Sequence, residues 1–85
     1  MSELSKEDID KIKNELPILI GQKIKYRREQ LRLTQSELAF RIISDRQYLY
    51  KIEHGKVSVS LIKLAIIAKA LKIDLGSLFN LNLPD

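Results

Sequence analysis

The chain has 85 residues, no cysteine, a single histidine and a net charge of +4. Without cysteine, disulfides and thiolate metal sites are excluded, and His54 alone cannot form a zinc site. No apolar run reaches the ~20 residues of a membrane-spanning helix, and the polar, acidic start of the chain does not resemble a secretion signal. We therefore expect a single domain in the cytoplasm, with no metal, no cofactor and no membrane partner.

The positive charge is concentrated in the middle of the sequence. Residues 1–19 carry three lysines and five acidic residues, whereas residues 20–60 carry nine Lys or Arg and four acidic residues. A basic segment of this kind suits contact with phosphates, although a solvated basic face would have the same composition.

Helical periodicity runs through every long segment and no segment alternates like a strand, which predicts an all-α fold. Ser5 and Asp8 match a capping box that opens a first helix. Pro17 is expected to end or kink this helix, so residues 1–18 are predicted to form an N-terminal helical extension. A second helix is predicted over residues 19–31. The apolar residues of these two helices are Ile9, Ile12, Leu16, Ile20, Ile24 and Leu31.

Two short helices follow. Thr34 and Glu37 form a second capping box, and the helix that they open should end near Ile42. Ser44 or Asp45 is expected to cap the next helix, with Asp45 preferred, although the Asp45 carboxylate could instead accept a hydrogen bond from cytosine N4. Gly55 is a plausible residue to end that helix.

The C-terminal part is predicted to contain a helix over residues 59–71 that is capped by Ser58, and a short helix over residues 75–80. Residues 19–80 would then form one domain, with residues 81–85 as an irregular tail. The side chains predicted to face inward are Leu61, Leu64, Ala65, Ala68, Leu71, Leu75, Leu78 and Phe79.

The helix that begins at Arg46 has a polar outer face. At 100° per residue, Leu49 and Ile52 point to the core, and the side chains left on the outside are those of Arg46, Gln47, Tyr50 and Lys51. Arginine can bond O6 and N7 of guanine, and glutamine can bond N6 and N7 of adenine. These four residues are the candidates for base contact, although Tyr50 could be only a solvent-facing aromatic. The candidates for phosphate contact are Thr34, Gln35, Ser36, Tyr48, Lys56 and Ser58.

Residues 20–79 resemble the phage repressor and Cro family of helix-turn-helix proteins, also called the XRE family. The resemblance rests on Leu33-Thr34-Gln35, Glu37-Leu38-Ala39, Lys51-Ile52-Glu53, Gly55-Lys56 and Ile67-Ala68-Lys69-Ala70-Leu71, with Ile20-Gly21, Ile24, Arg28, Arg46, Tyr48, Ser60-Leu61, Leu64, Leu75 and Leu78-Phe79 in register. It implies a compact five-helix bundle like that of lambda repressor, here with an extra N-terminal helix. It also implies binding to double-stranded DNA, since members of this family mostly bind DNA as homodimers and mostly repress transcription. Finally, it implies a structural salt bridge between Arg28 and Glu53.

The sequence departs from the family pattern at several turns. Arg32, Ile43 and Lys72 stand where glycine is usual, and Val59 replaces a usual proline. A β-branched residue at positive φ is costly, so either the turn at Ile43 is remodelled or this residue is strained.

Apolar residues are also in surplus on the predicted surface. Ile62 and Ile66 occupy positions that are usually polar in the family, and Leu81 and Leu83 follow in the tail. Either the N-terminal helix or a second subunit could cover this patch. We expect a homodimer, because one short helix reads too few base pairs for useful specificity.

The leading hypothesis is therefore a sequence-specific transcriptional regulator, expected to be a repressor, that acts as a homodimer on a pseudo-palindromic operator. An antitoxin or another protein-interaction module of the same fold is an alternative, as is the controller of a restriction–modification system. An enzyme is not expected, because no constellation of catalytic residues is present. No small-molecule effector is expected either, because no ligand-binding domain follows the helix-turn-helix.

Overall fold

The computed structural model describes residues 3–81. Within that range the chain forms five helices and no strand, which confirms the predicted all-α class. The helices are α1 (Lys6–Gln30), α2 (Gln35–Arg41), α3 (Arg46–Glu53), α4 (Leu61–Ala70) and α5 (Leu75–Leu78). None of these helices combines the length and the apolar character needed to cross a membrane.

Pro17 does not end the first helix. Helix α1 continues through Pro17 for 25 residues, so the N-terminal extension and the first core helix are one element, and the prediction of a separate extra helix was wrong. An interior proline costs roughly 3 kcal/mol, in part because it removes one backbone hydrogen bond. The carbonyl that loses its partner belongs to Lys13, an exposed residue, so water can satisfy it.

Close packing against α3 supports α1 just beyond Pro17. A Cβ atom on Gly21 would lie 2.4 Å from the carbonyl oxygen of Ile52, and a Cβ atom on Gly55 would lie 2.6 Å from the Cα of Ile18. Backbone therefore meets backbone on both sides of the α1–α3 contact, and only glycine permits that distance. This tertiary packing outweighs the local preference of Pro17.

Helices α1 to α4 all end in a Schellman motif. At the end of α2, the N–H of Ser44 donates to the carbonyl of Ala39 over 2.8 Å, and the N–H of Ile43 donates to Phe40 over 3.1 Å. This pair of bonds requires a left-handed residue after the cap. Gly55 fills that position after α3, with φ +68°. The corresponding residues of the other three helices are Arg32 (φ 56°), Ile43 (φ 54°) and Lys72 (φ 58°). The turn at Ile43 is thus not remodelled, and this residue is strained.

Helix α4 begins later and faces differently than predicted. Ser60 caps it, because its Oγ accepts from the backbone N–H of Lys63 over 3.0 Å, and Ser58 lies in the preceding loop. The buried face of α4 is formed by Leu64, Ile67 and Ala68. Leu61 and Ala65 are exposed, so the prediction that they face inward was wrong. Helix α5 is also shorter than predicted, since Phe79 is its C-cap and is exposed. The core of the domain consists of Ile20, Ile24, Leu38, Ala39, Ile42, Leu49, Ile52, Leu64, Ile67, Ala68, Leu71 and Leu78.

The outer face of α4 remains uncovered. Ile62 is 73% exposed and Ile66 is 43% exposed, while Ile9 and Ile12 of α1 are also exposed. The hypothesis that the N-terminal residues cover the α4 patch is therefore wrong. Leu81 packs partly against the core, beside Leu19 and Tyr26 of α1, and Leu83 lies outside the described residues.

Candidate nucleic-acid interface

Helix α3 is fixed at its start by a side-chain cap and along one face by the core. The Oδ1 atom of Asp45 accepts from the backbone N–H of Tyr48 over 2.8 Å, which confirms the predicted cap. Leu49 and Ile52 are fully buried. The helix therefore has a defined orientation, and its opposite face is presented to solvent without freedom to rotate.

That face holds the four residues predicted for base contact. Each of them is exposed, and together they alone line one open depression, formed by Arg46, Gln47, Tyr50 and Lys51. They supply a guanidinium, an amide, a phenol and an ammonium group. The depression therefore presents mainly hydrogen-bond donors, with acceptors on the glutamine and the tyrosine.

His54 organises the C-terminal end of this face, which the sequence did not predict. Its ring stacks on that of Tyr50 with a centroid separation of 3.9 Å. Its Nδ1 lies 2.8 Å from the carbonyl oxygen of Tyr50, and the carbonyl can only accept, so Nδ1 is the donor. The ammonium of Lys56 lies 5.6 Å from the centre of the Tyr50 ring, a cation–π contact. Tyr50 is thus contacted by both His54 and Lys56.

A buried ion pair joins α1 to α3. The Nε of Arg28 lies 2.6 Å from Oε2 of Glu53, and its Nη2 lies 3.0 Å from Oε1. The remaining Nη1 donates to the carbonyl of Leu33 over 2.7 Å. The hydrogen bonding that Arg28 donates to Glu53 raises the pKa of Arg28 despite the opposing effect of burial. Arg28 is therefore turned inward and is not available to DNA.

Gln35 is part of the same buried network. Its Nε2 donates to Oε1 of Glu53 over 3.1 Å, so one N–H of this candidate for phosphate contact is already bonded within the protein. The contact connects the start of α2 to the end of α3, and it fixes the angle between the two helices of the helix-turn-helix. The second N–H of the Gln35 amide and its oxygen have no protein partner among the described contacts.

Helix α2 begins with the predicted capping box. Oγ1 of Thr34 accepts from the backbone N–H of Glu37, and the Glu37 carboxylate accepts from the backbone N–H of Thr34, each over 3.0 Å. The bond to the Thr34 backbone is the main reason that the pKa of Glu37 lies below its ordinary value. The hydroxyl of Ser36 is exposed beside this cap.

The remaining candidates for phosphate contact lie near the edges of α3. Tyr48 is half-buried, with the Lys63 ammonium 5.9 Å from its ring centre. Lys56 and Ser58 are exposed in the loop after α3. Lys63 also donates to the carbonyl of Ile42 over 3.3 Å, which ties α4 to the helix-turn-helix turn. No local sequence signal indicates this last contact, because the two residues are 21 positions apart.

Within residues 3–81, no group of three or more His, Cys, Asp or Glu side chains is placed to hold a metal ion.

Comparison with known proteins agrees with this geometry. A family model described as helix-turn-helix matches residues 24–78, a span that includes α2 to α5 and more than half of the chain. The chain is similar to the control protein C.MunI from Mycoplasma sp, with 41% identity over 68 residues that cover 79% of this chain and 92% of that protein. It is also similar to the crystal structure of the restriction-modification controller protein C.AhdI from Aeromonas hydrophila, with a TM-score of 0.71 and 35% identity, covering 74% of this chain and 91% of that chain. The chain therefore belongs to the helix-turn-helix family of the phage repressor and Cro type, and it is a DNA-binding transcriptional regulator.

Proposed function

We propose that this regulator reads a specific double-stranded DNA sequence by placing α3 in the major groove. The observation that carries the proposal is the depression lined by Arg46, Gln47, Tyr50 and Lys51 alone. Arg46 and Gln47 stand at the N-terminal end of α3, the end from which helix-turn-helix proteins contact base edges. Arg46 suits guanine and Gln47 suits adenine, because each can form two hydrogen bonds with its base.

Groups around this face would hold the phosphates. The hydroxyls of Thr34 and Ser36 stand at the start of α2, and Lys56 and Ser58 follow the end of α3. Gln35 and Tyr48 could add contacts through the polar atoms that their internal interactions leave free. Such contacts fix the position and register of the helix but carry no sequence information directly.

The proposed active form is a homodimer. One α3 reads only a few base pairs, whereas two copies related by a twofold axis would read half-sites about 34 Å apart. The exposed Ile62 and Ile66 are the candidate surface for association, and Leu81, near α1, is a further candidate. Bound across a promoter, such a dimer would block access to it, so repression is the expected effect.

Within this class, the relatives favour the control of a restriction–modification system. Both are described as control or controller proteins, and the chain matches more than nine-tenths of the length of each. A controller of this kind would bind DNA beside its own gene and beside the genes of the associated restriction and modification enzymes.

Footprinting on the DNA that flanks its own gene tests the proposal. We expect a protected segment with twofold symmetry, and loss of protection when Arg46 and Gln47 are both replaced by alanine. Lys69→Ala is a matched surface control on α4 and should protect the same segment. Protection that is unaffected by the double replacement would contradict the assignment of α3.

A further inference from the structure

Among residues 3–81, no other helix covers the first nine residues of α1. Residues 6–14 are all exposed, and the first partly buried residues are Glu15 and Leu16. This segment projects by about 14 Å at 1.5 Å per residue. It also lies outside the family match, which begins at residue 24.

The projecting segment carries an apolar stripe with the spacing of a coiled coil. Ile9 and Ile12 are 41% and 40% exposed, and Leu16 and Leu19 continue the stripe to the domain surface, where both are half-buried. The separations of three, four and three residues place these side chains at successive a and d positions of a heptad repeat.

The charges beside the stripe indicate which partner would pack against it, namely a second copy of the same helix. In this register Lys6 and Lys13 occupy e positions, and Asp8 and Glu15 occupy g positions. In a parallel pair of identical helices, g faces the following e of the other helix, so Asp8 would meet Lys13 of the second copy. An antiparallel pair would instead set g against g and e against e, which places like charges together.

DNA and a membrane surface are less suitable partners for this segment. Residues 6–15 contain three lysines and four carboxylates, a balance that does not attract DNA phosphates or an anionic membrane. The alternation of opposite charges on the two sides of the stripe complements the same sequence in a second copy.

We propose that the N-terminal half of α1 pairs with the same segment of a second copy as a short parallel two-stranded coiled coil. An isolated helix of this length is marginal in water because its nucleation is costly. Here the helix is already formed, since it continues into the packed core of the domain through Leu16 and Ile20. Pairing therefore does not have to offset the cost of folding the segment. The inference extends the proposed homodimer and does not depend on DNA binding.

Cysteine crosslinking tests the pairing directly, because the chain contains no cysteine of its own. Under mild oxidation without DNA, Ile9→Cys and Ile12→Cys should each form a disulfide-linked dimer. Asn14→Cys, at an outward f position of the same segment, is the matched control and should remain monomeric under the same conditions. Absence of the dimer in the first two variants, or equal crosslinking of all three, would overturn the proposal.

A charge reversal tests the parallel orientation. Lys13→Glu would face Asp8 of the second copy and should weaken self-association about fivefold, as measured by sedimentation. Lys11→Glu makes the same change of charge at an outward c position and should leave self-association unchanged. Equal effects of the two variants would contradict the parallel pairing. DNA footprints measured on the same variants separate the two proposals. Crosslinking without a DNA footprint would support the coiled coil and contradict the proposed function.

Discussion

Replacing Ile43 by glycine should stabilise the fold, which is unusual for a change from a large apolar residue. Ile43 has φ 54° and its side chain is 93% exposed, so its removal sacrifices almost no packing. The left-handed conformation costs an L-residue roughly 1–2 kcal/mol, and a β-branched side chain adds to the crowding. Glycine removes this cost.

The net gain is smaller than the relief of strain, because glycine also increases the entropy of the unfolded chain. That term opposes folding by roughly 0.4–1 kcal/mol, which leaves a stabilisation of about 1 kcal/mol. For a domain of this size, 1 kcal/mol corresponds to a rise in Tm of roughly 4–8 °C. Urea denaturation and calorimetry of the two proteins measure the difference.

Phe40→Gly is the matched control. Phe40 is also a large exposed apolar residue, at 84%, but it lies inside α2, where glycine should destabilise by about 0.5 kcal/mol. If Ile43→Gly is neutral or destabilising, the assignment of strain to this turn is wrong. Arg32→Gly and Lys72→Gly should shift stability in the same direction as Ile43→Gly, because both residues occupy the same left-handed position.

Three further predictions concern the interface and its support. Glu53→Gln should destabilise the fold by roughly 3–5 kcal/mol, because it leaves the buried charge of Arg28 unpaired, and a urea midpoint close to that of the parent protein would contradict the role of the ion pair. Gln47→Ala should relax sequence choice at one base pair of each half-site at a cost of roughly 1–3 kcal/mol, measured by competition with operator variants, while Gln22→Ala on the exposed side of α1 should leave the profile unchanged. Because the pKa of Glu37 is lowered on folding, its contribution to stability is present above its ordinary pKa of 4.5 and is lost as pH falls through the folded value. Glu37→Gln should therefore flatten the acid limb of the stability–pH curve, and an unchanged limb would argue against the capping bond.

The features of the fold that depend on contacts between residues close in sequence could be predicted from the sequence. The caps at Ser5, Thr34 and Asp45 form as predicted, because each needs only a side chain and a backbone N–H three residues away. The outward direction of the α3 residues followed from helical periodicity and the burial of Leu49 and Ile52.

The predictions that were wrong depend on contacts between helices that are distant in sequence. Pro17 was expected to interrupt the helix, but the close approach of α1 and α3 at Gly21 and Gly55 opposes that preference. Ser58 and Ser60 are equally good caps by residue type, so the start of α4 could not be chosen from the sequence.

The polar network behind α3 was only partly predictable. The family resemblance pointed to the Arg28–Glu53 pair, but the contact from Gln35 to Glu53 spans 18 residues. Elsewhere, the hydrogen bond from Arg27 of α1 to the carbonyl of Leu71, at the end of α4, spans 44 residues. Hydrogen bonds between such distant positions become visible only when the helices are placed in space. The stack of His54 on Tyr50 connects residues one turn apart, and the spacing alone could have suggested it.

Selection of bound sequences from random duplex DNA tests the central claim, that the exposed face of α3 reads base sequence. The proposed arrangement predicts a twofold-symmetric motif whose half-sites are centred about 10 base pairs, or a multiple of that, apart. It also predicts that selection with Gln47→Ala loses information at one position in each half-site and retains the rest. Enrichment of the same motif by the Arg46→Ala and Gln47→Ala variants, or no enrichment by the parent protein, would contradict it.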